Sequence, residues 1–183
     1  MSESTDPAEP ASRGRIAKAN RNANQVEIVV EGGGTVGIAK ARKGALRVME
    51  TFSKSPVQAC VFITSDARLR ELNKLFRGID EPTDVLSFPA PESNGAAKSD
   101  FGDIAISIDR AKAQANAHGI ELDDELAYLT IHGTLHLFGF EDETGPDRKI
   151  MAKEMKVAAE RAGLRADFEW HSIGHSLTKR GRK

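Results

Sequence analysis

The segment Glu121 to Gly139, ELDDELAYLTIHGTLHLFG, does most to limit what this chain can fold into. Glu121, Asp123, Asp124 and Glu125 crowd its start, where the positive end of a helix favours acids, and the remainder is apolar almost all round. Such a helix has to be covered on every side, so the rest of the chain must enclose it. At 183 residues the chain has the size of one domain, able to bury roughly two-thirds of its unfolded surface. Aromatic residues make up only 5%, which leaves Leu, Ile, Val and Ala to fill the core.

The other segments supply that cover. Residues 1–24 hold Ser, Pro, Ala, Asn and charge with almost no apolar side chains, and are expected to be a flexible tail; Arg13, Arg15, Lys18 and Arg21 make half of it basic. Val26 to Val30 is a β-branched run closed by Gly32, Gly33 and Gly34. The glycines up to Gly37 begin like a phosphate-binding loop, but Ile38 and Ala39 stand where Lys and Ser or Thr are required, which excludes a nucleotide site of that kind. Ile38 to Phe52 repeats apolar residues at helical spacing, Gln58 to Thr64 is a strand, and Ser65 or Asp66 opens a helix that Gly78 stops.

Thr83 to Phe88 lies between prolines, as an edge strand does, and Phe101 to Ile108 alternates like a half-buried one. Between them Pro89 to Asp100 has the composition of a loop. A short helix from Asp109 to about His118 precedes the central one, and Thr144, with Asp147 three residues on, opens a last helix to about Ala162. Residues 166–183 form a tail ending TKRGRK. The pattern predicts an α+β single domain: one mixed sheet of about four strands, covered by helices, around the central helix.

Composition narrows the functional classes. A net charge of −1 offers no general attraction to nucleic acid, so any such binding needs a local patch. The basic helix face of Lys40, Arg42, Lys43 and Arg47 is one candidate. No stretch approaches the ~20 apolar residues that span a bilayer, and the N-terminus lacks the apolar core of a secretion signal. The single cysteine, Cys60, forms no internal disulfide and is expected to be a buried structural thiol, as a reducing cytoplasm permits.

His132 and His136 interrupt the apolar helix four residues apart, so both imidazoles leave one face a turn apart, as two ligands of one metal require. Gly139 lets the chain turn back, and Asp142 then returns towards the pair, with Glu141 or Glu143 as alternative third ligands. Two imidazoles in so apolar a helix are costly unless satisfied together, which favours zinc over a pair of ordinary core histidines. The spacing matches the zinc peptidase pattern of two histidines, glycine and a returning ligand. Those peptidases carry their general base directly after the first His, where this chain has Gly133, which disfavours that mechanism. His171 and His175 repeat the spacing of four without a further ligand in view.

Three further motifs stand in order: NKLFRGIDEPTDVLSFP from Asn73 to Pro89, GDIAIS from Gly102 to Ser107, and HGTLHLFGFED from His132 to Asp142. Together they resemble the YbeY family of bacterial ribosomal-RNA maturation factors over about Val26 to Ala162. The resemblance implies that residues 25–165 form a metal-dependent endoribonuclease domain, with Zn2+ on His132, His136 and residue 142. It implies His132 and Arg77 as the residues of RNA cleavage, in a cleft lined by the TDVLSF strand, with Asp84, Ser87 and Asp103 as further positions of interest. Implied partners are ribosomal RNA and the ribosomal small subunit or its assembly factors. One position departs from the family: the pattern ends Gly, aromatic, Asp, His, whereas here Gly139, Phe140, Glu141 and Asp142 put a carboxylate where the third imidazole stands. An RNA-binding assembly factor with a purely structural metal would need the same fold.

Overall fold

The computed structural model describes residues 22–90, 100–165 and 170–172. Nine elements follow one another: β1 (Gln25–Val30), α1 (Ile38–Phe52), β2 (Gln58–Thr64), α2 (Asp66–Arg77), β3 (Val85–Pro89), β4 (Asp100–Ser107), α3 (Ile108–His118), α4 (Leu122–Leu137) and α5 (Gly145–Ala162). This is the α+β arrangement the pattern predicts. Most of the N-terminal tail, most of the loop after Pro89, and His175 lie outside the described residues.

The sheet runs β1-β2-β4-β3 and is mixed. β1, β2 and β4 are parallel, joined by crossovers that carry helices, whereas β3 lies antiparallel to β4 and forms one edge. Its Pro89 occupies the end of that edge strand, where a missing N–H costs no ladder bond.

Alternation along β2 sets the layers. Ala59, Val61 and Ile63 point into the main core with Val48 and Met49 of α1 and Leu126, Ile131 and Leu135 of α4. On the opposite face, α2 lays Leu69 and Leu72 over Leu86, Ala105 and Phe88, a second and smaller core. Cys60 belongs to that outer face and is half-buried rather than buried. Burial, with Asp103 and Glu27 nearby, pushes its thiol up to about 11, which keeps it protonated and unreactive.

Helix ends follow the local chemistry. Ser65, Ser107 and Thr144 accept bonds from the backbone N–H of Arg68, Arg110 and Asp147. α4 is buried from Glu125 to Leu137 with the exception of His136, as its composition demands. Its buried hydroxyls are satisfied within the helix, Thr130 on Leu126 O and Thr134 on Thr130 O, each at 2.7 Å.

Gly133 marks where α4 presses on the sheet. A Cβ there would lie 2.8 Å from Ile104 Cγ2 and 3.1 Å from Val85 Cγ2, and Ser87 Oγ donates to its carbonyl at 3.0 Å. The residue after His132 is therefore glycine because the sheet leaves no room for a side chain, least of all a glutamate.

Candidate metal centre

One turn of α4 and the bend after it assemble the site. His132 Nε2 and His136 Nε2 are 3.1 Å apart, their rings almost perpendicular at 82°. His136 Nδ1 faces Phe140 O at 2.8 Å; a carbonyl only accepts, so the proton sits on Nδ1 and Nε2 carries the lone pair of a metal ligand. Gly139, at φ +83°, turns the chain, and Phe140 N donates to Leu135 O at 3.1 Å in the manner of a Schellman end. Phe138 and Phe140 pack against Phe52 at 5.7 and 4.9 Å, which seats the bend on the core.

Beyond the bend, Asp142 Oδ2 comes to 3.5 Å from His132 Nε2. Arg148 of α5 fixes the loop by donating to Asp142 O at 3.2 Å and Glu143 O at 2.9 Å. His132, His136 and Asp142 each offer one atom within 4.8 Å of the others, so the group could hold a metal ion. Glu141 and Glu143 are exposed and stand outside the group. Ligands at tetrahedral angles around zinc are separated by roughly 3.3 Å, and the 3.1 and 3.5 Å found here lie on either side of that value.

The other expected positions divide. Asp84 is wholly buried and accepts from Val85 N at 2.9 Å, Gln114 Nε2 at 2.9 Å and the Ser172 hydroxyl, so it organises the head of β3. Ser87 ties β3 to α4. Asp103 sits on the outer face, its carboxyl raised by partial burial and by Asp100.

Arg77 ends α2 in solvent, outside the metal group, and its guanidinium makes no ion pair or hydrogen bond among the described residues. The other basic residues of α2 are engaged: Arg70 and Lys74 both on Asp80 at 2.8 Å, Arg68 on Glu71 at 2.7 Å. Beside Arg77, Phe76 is 61% exposed and lies 4.9 Å from Phe88 of β3, an aromatic pair that the spacing of α2 alone does not disclose.

The basic face of α1 is mostly spoken for within the domain. Lys40 pairs with Asp124 at 2.5 Å, Arg47 with Glu50 at 2.7 Å, and Arg42 Nε donates to Val26 O at 3.1 Å. His171 lies with its ring 5.7 Å from that of His118 and joins no metal group among the described residues.

The residue that local reasoning passed over is Trp170. Inside the segment expected to be a basic tail, it is 8% exposed, stacks on Tyr128 at 5.7 Å and 12°, and donates Nε1 to Glu125. As the chain's sole tryptophan within a polar stretch, it offered the one composition signal of a return to the core.

The class so defined is an α+β protein whose buried helix, with the bend that follows it, brings together a His-His-Asp group that could hold a metal ion. Comparison with known proteins names it more closely. The family model described as Endoribonuclease YbeY matches residues 35–163, and the chain belongs to the YbeY family. Proteins named Endoribonuclease YbeY from Caldanaerobacter subterraneus and Chloroflexus aggregans are 37% and 40% identical over 139 and 149 residues. Those matches cover 70% and 76% of this chain, and 87% and 96% of the two relatives. The solution structure of TM1509 from Thermotoga maritima aligns with a TM-score of 0.50 at 27% identity, covering 75% of this chain and 88% of that one. Among the described residues no helix is long and apolar enough to cross a membrane.

Proposed function

We propose that this protein is a zinc-dependent, single-strand-specific endoribonuclease of the cytoplasm that acts in ribosomal RNA maturation at the small-subunit rRNA ends, and in ribosome assembly or quality control. The observation that carries the catalytic reading is the count of ligands. Structural zinc sites are closed by four protein side chains, whereas three converge here among the described residues, as in sites that keep a position for water or substrate. The relatives' printed names supply the reaction class.

In this reading His132, His136 and Asp142 hold the ion, which contributes Lewis acidity and an acidified water when bound. The carboxylate of Asp142 lowers the net positive charge at the site compared with a third imidazole, so its water is less acidic and its metal preference shifts towards harder cations. Arg77, with no internal partner among the described residues, binds the phosphate of the strand, where a guanidinium can engage two oxygens at once.

Phe76 and Phe88 beside it offer an aromatic face for an unstacked base, the combination by which proteins hold single strands. Phe88 stands one residue along the edge strand β3 from Ser87, which bonds Gly133 beside His132, and faces the other side of the sheet, so a strand held there reaches the metal group around that edge. Ribosomal RNA and the small subunit or its assembly factors are the partners this chemistry serves.

The test is cleavage of a precursor ribosomal RNA by metal-quantified wild type, His132→Ala, Arg77→Ala and Asp142→His. Arg77→Ala is expected to keep its metal and lose at least ~100-fold in cleavage, on the scale of one lost charge-stabilising donor. His132→Ala should lose both metal and cleavage, and Asp142→His should bind zinc more tightly. Full cleavage by Arg77→Ala and His132→Ala would instead make this an assembly factor with a structural metal.

A further inference from the structure

The chain returns to α4 after α5, and it does so beside the metal ligands. The Trp170 indole lies with its ring centre 5.6 Å from that of His132, tilted at 57°, and also meets the rings of Tyr128 at 5.7 Å and His118 at 6.1 Å. Nε1 donates to both oxygens of Glu125, at 3.0 and 3.2 Å, and Glu125 is itself wholly buried and paired with His118 Nδ1 at 2.8 Å. Glu125, Tyr128 and His132 recur at helical spacing, so one indole spans the stripe of α4 that leads to the metal. Two residues on, the Ser172 hydroxyl donates to Asp84 at the head of β3. Residues 170–172 thus bridge α4 and the edge of the sheet, with the Trp170 ring against His132.

An imidazole ligand needs its ring plane fixed as well as its position, because the Nε2 lone pair lies in that plane. His136 obtains this from the carbonyl of Phe140. His132 has a rigid, buried aromatic slab close by, itself held by two hydrogen-bond contacts to a buried carboxylate.

We propose that Trp170 is a positioning residue of the metal centre: it restricts the ring of His132, so that the segment beyond α5 sets how tightly the ion is held. This rests on the reading of His132, His136 and Asp142 as a metal site. Outer groups that fix a ligating imidazole by a hydrogen bond are worth ~10- to ~100-fold in metal affinity, and a packed ring that fixes the same plane is expected to act on that scale.

The test uses the full chain and Co2+ as probe, with affinity from chelator competition, ligand geometry from the d–d absorption band, and the metal-free melting temperature alongside. Trp170→Ala is expected to bind Co2+ ~10- to ~100-fold more weakly with an altered band. Trp170→Phe keeps a ring against His132 but loses the Nε1–H donor; it should lose melting temperature yet stay within about threefold in affinity with the wild-type band. Should Trp170→Ala not fold, Trp170→Leu, which fills the space without a flat ring, takes its place.

An affinity and band equal to wild type in Trp170→Ala or Trp170→Leu, with only the melting temperature lowered, would overturn the proposal and leave Trp170 a plain anchor. Wild type that takes up no Co2+ would sink the metal reading itself, a result separate from that one.

Discussion

Two sites on the buried stripe of α4 gather nitrogen and oxygen atoms, about two turns apart, and they do it in opposite ways. Around Glu125 the neighbours are donors: Trp170 Nε1 and His118 Nδ1 both face one carboxylate, so opposite polarities meet and the protein completes the cluster itself. Around His132 the converging atoms are all of the kind that can ligate a cation: two Nε2 atoms 3.1 Å apart and an Asp142 oxygen at 3.5 Å. Burial is similar, since Glu125 is 0% and His132 3% exposed. What separates an internal polar cluster from a cation site on this helix is the sign of the groups that meet, and the loop after Gly139 decides that sign by returning an acid instead of a donor.

The sharpest way to break this contrast is to delete a member at each end. His136→Ala removes a ligand and is expected to abolish stoichiometric zinc, measured by elemental analysis, with a loss of RNA cleavage exceeding ~100-fold, the upper range for changes one layer further out. Melting of the metal-free protein should barely move, because His136 is half-buried at the helix end. Glu125→Ala should do the reverse. It strands two buried donors, for which about 2 to 3 kcal/mol is the expected loss, read from urea unfolding of the metal-free protein. If His136→Ala kept its zinc, the two ends would not differ in kind.

Gly133→Ala probes what holds both ends in place. The added methyl meets Ile104 at 2.8 Å and Val85 at 3.1 Å, so α4 must lift from the sheet; overpacking of this kind costs ~1 to ~3 kcal/mol, partly offset by about 1 kcal/mol of better helix propensity. A net loss near ~1 kcal/mol is expected in urea unfolding, with the metal-binding atoms kept together by their own helical turn. A neutral or stabilising result would mean that α4 sits less tightly on β3 and β4 than the structure shows.

Most of the elements were legible because their limits are written locally. α1 and β2 begin and end where periodicity and glycine place them, and Ser65 and Thr144 announce helix starts through side chains that bond three residues on. The convergence of His132, His136 and Asp142 was legible for the same reason: positions 132, 136 and 142 are related by one helical turn and one bend. The strand order was not, since adjacency of β2 and β4 is settled by packing across many residues. Nor was the second role of Glu125. In sequence it is one of four acids at a helix start, and its partner Trp170 lies 45 positions away. The half-burial of Cys60 escaped likewise, because an apolar run in a strand does not say that its alternate residues face a sparsely covered side.

The smallest effect separates the clusters by pH. Burial raises the carboxyl of Glu125 above its ordinary value of 4.5, against the opposing pull of His118 and Trp170. A raised folded-state value means that the native protein holds this proton more firmly than the unfolded chain does. The stability it contributes is therefore fully present below the unfolded value and declines as pH rises through the folded one. Glu125→Gln keeps a carbonyl acceptor for Trp170 but cannot ionise, so its stability relative to wild type should improve as pH climbs from about 4 towards 7. Urea unfolding of the metal-free proteins across that range measures the difference. A difference that stays flat with pH would show that the donors around Glu125 compensate its charge fully, and one that falls would show that they overcompensate, making that end of α4 an ion pair in the full sense.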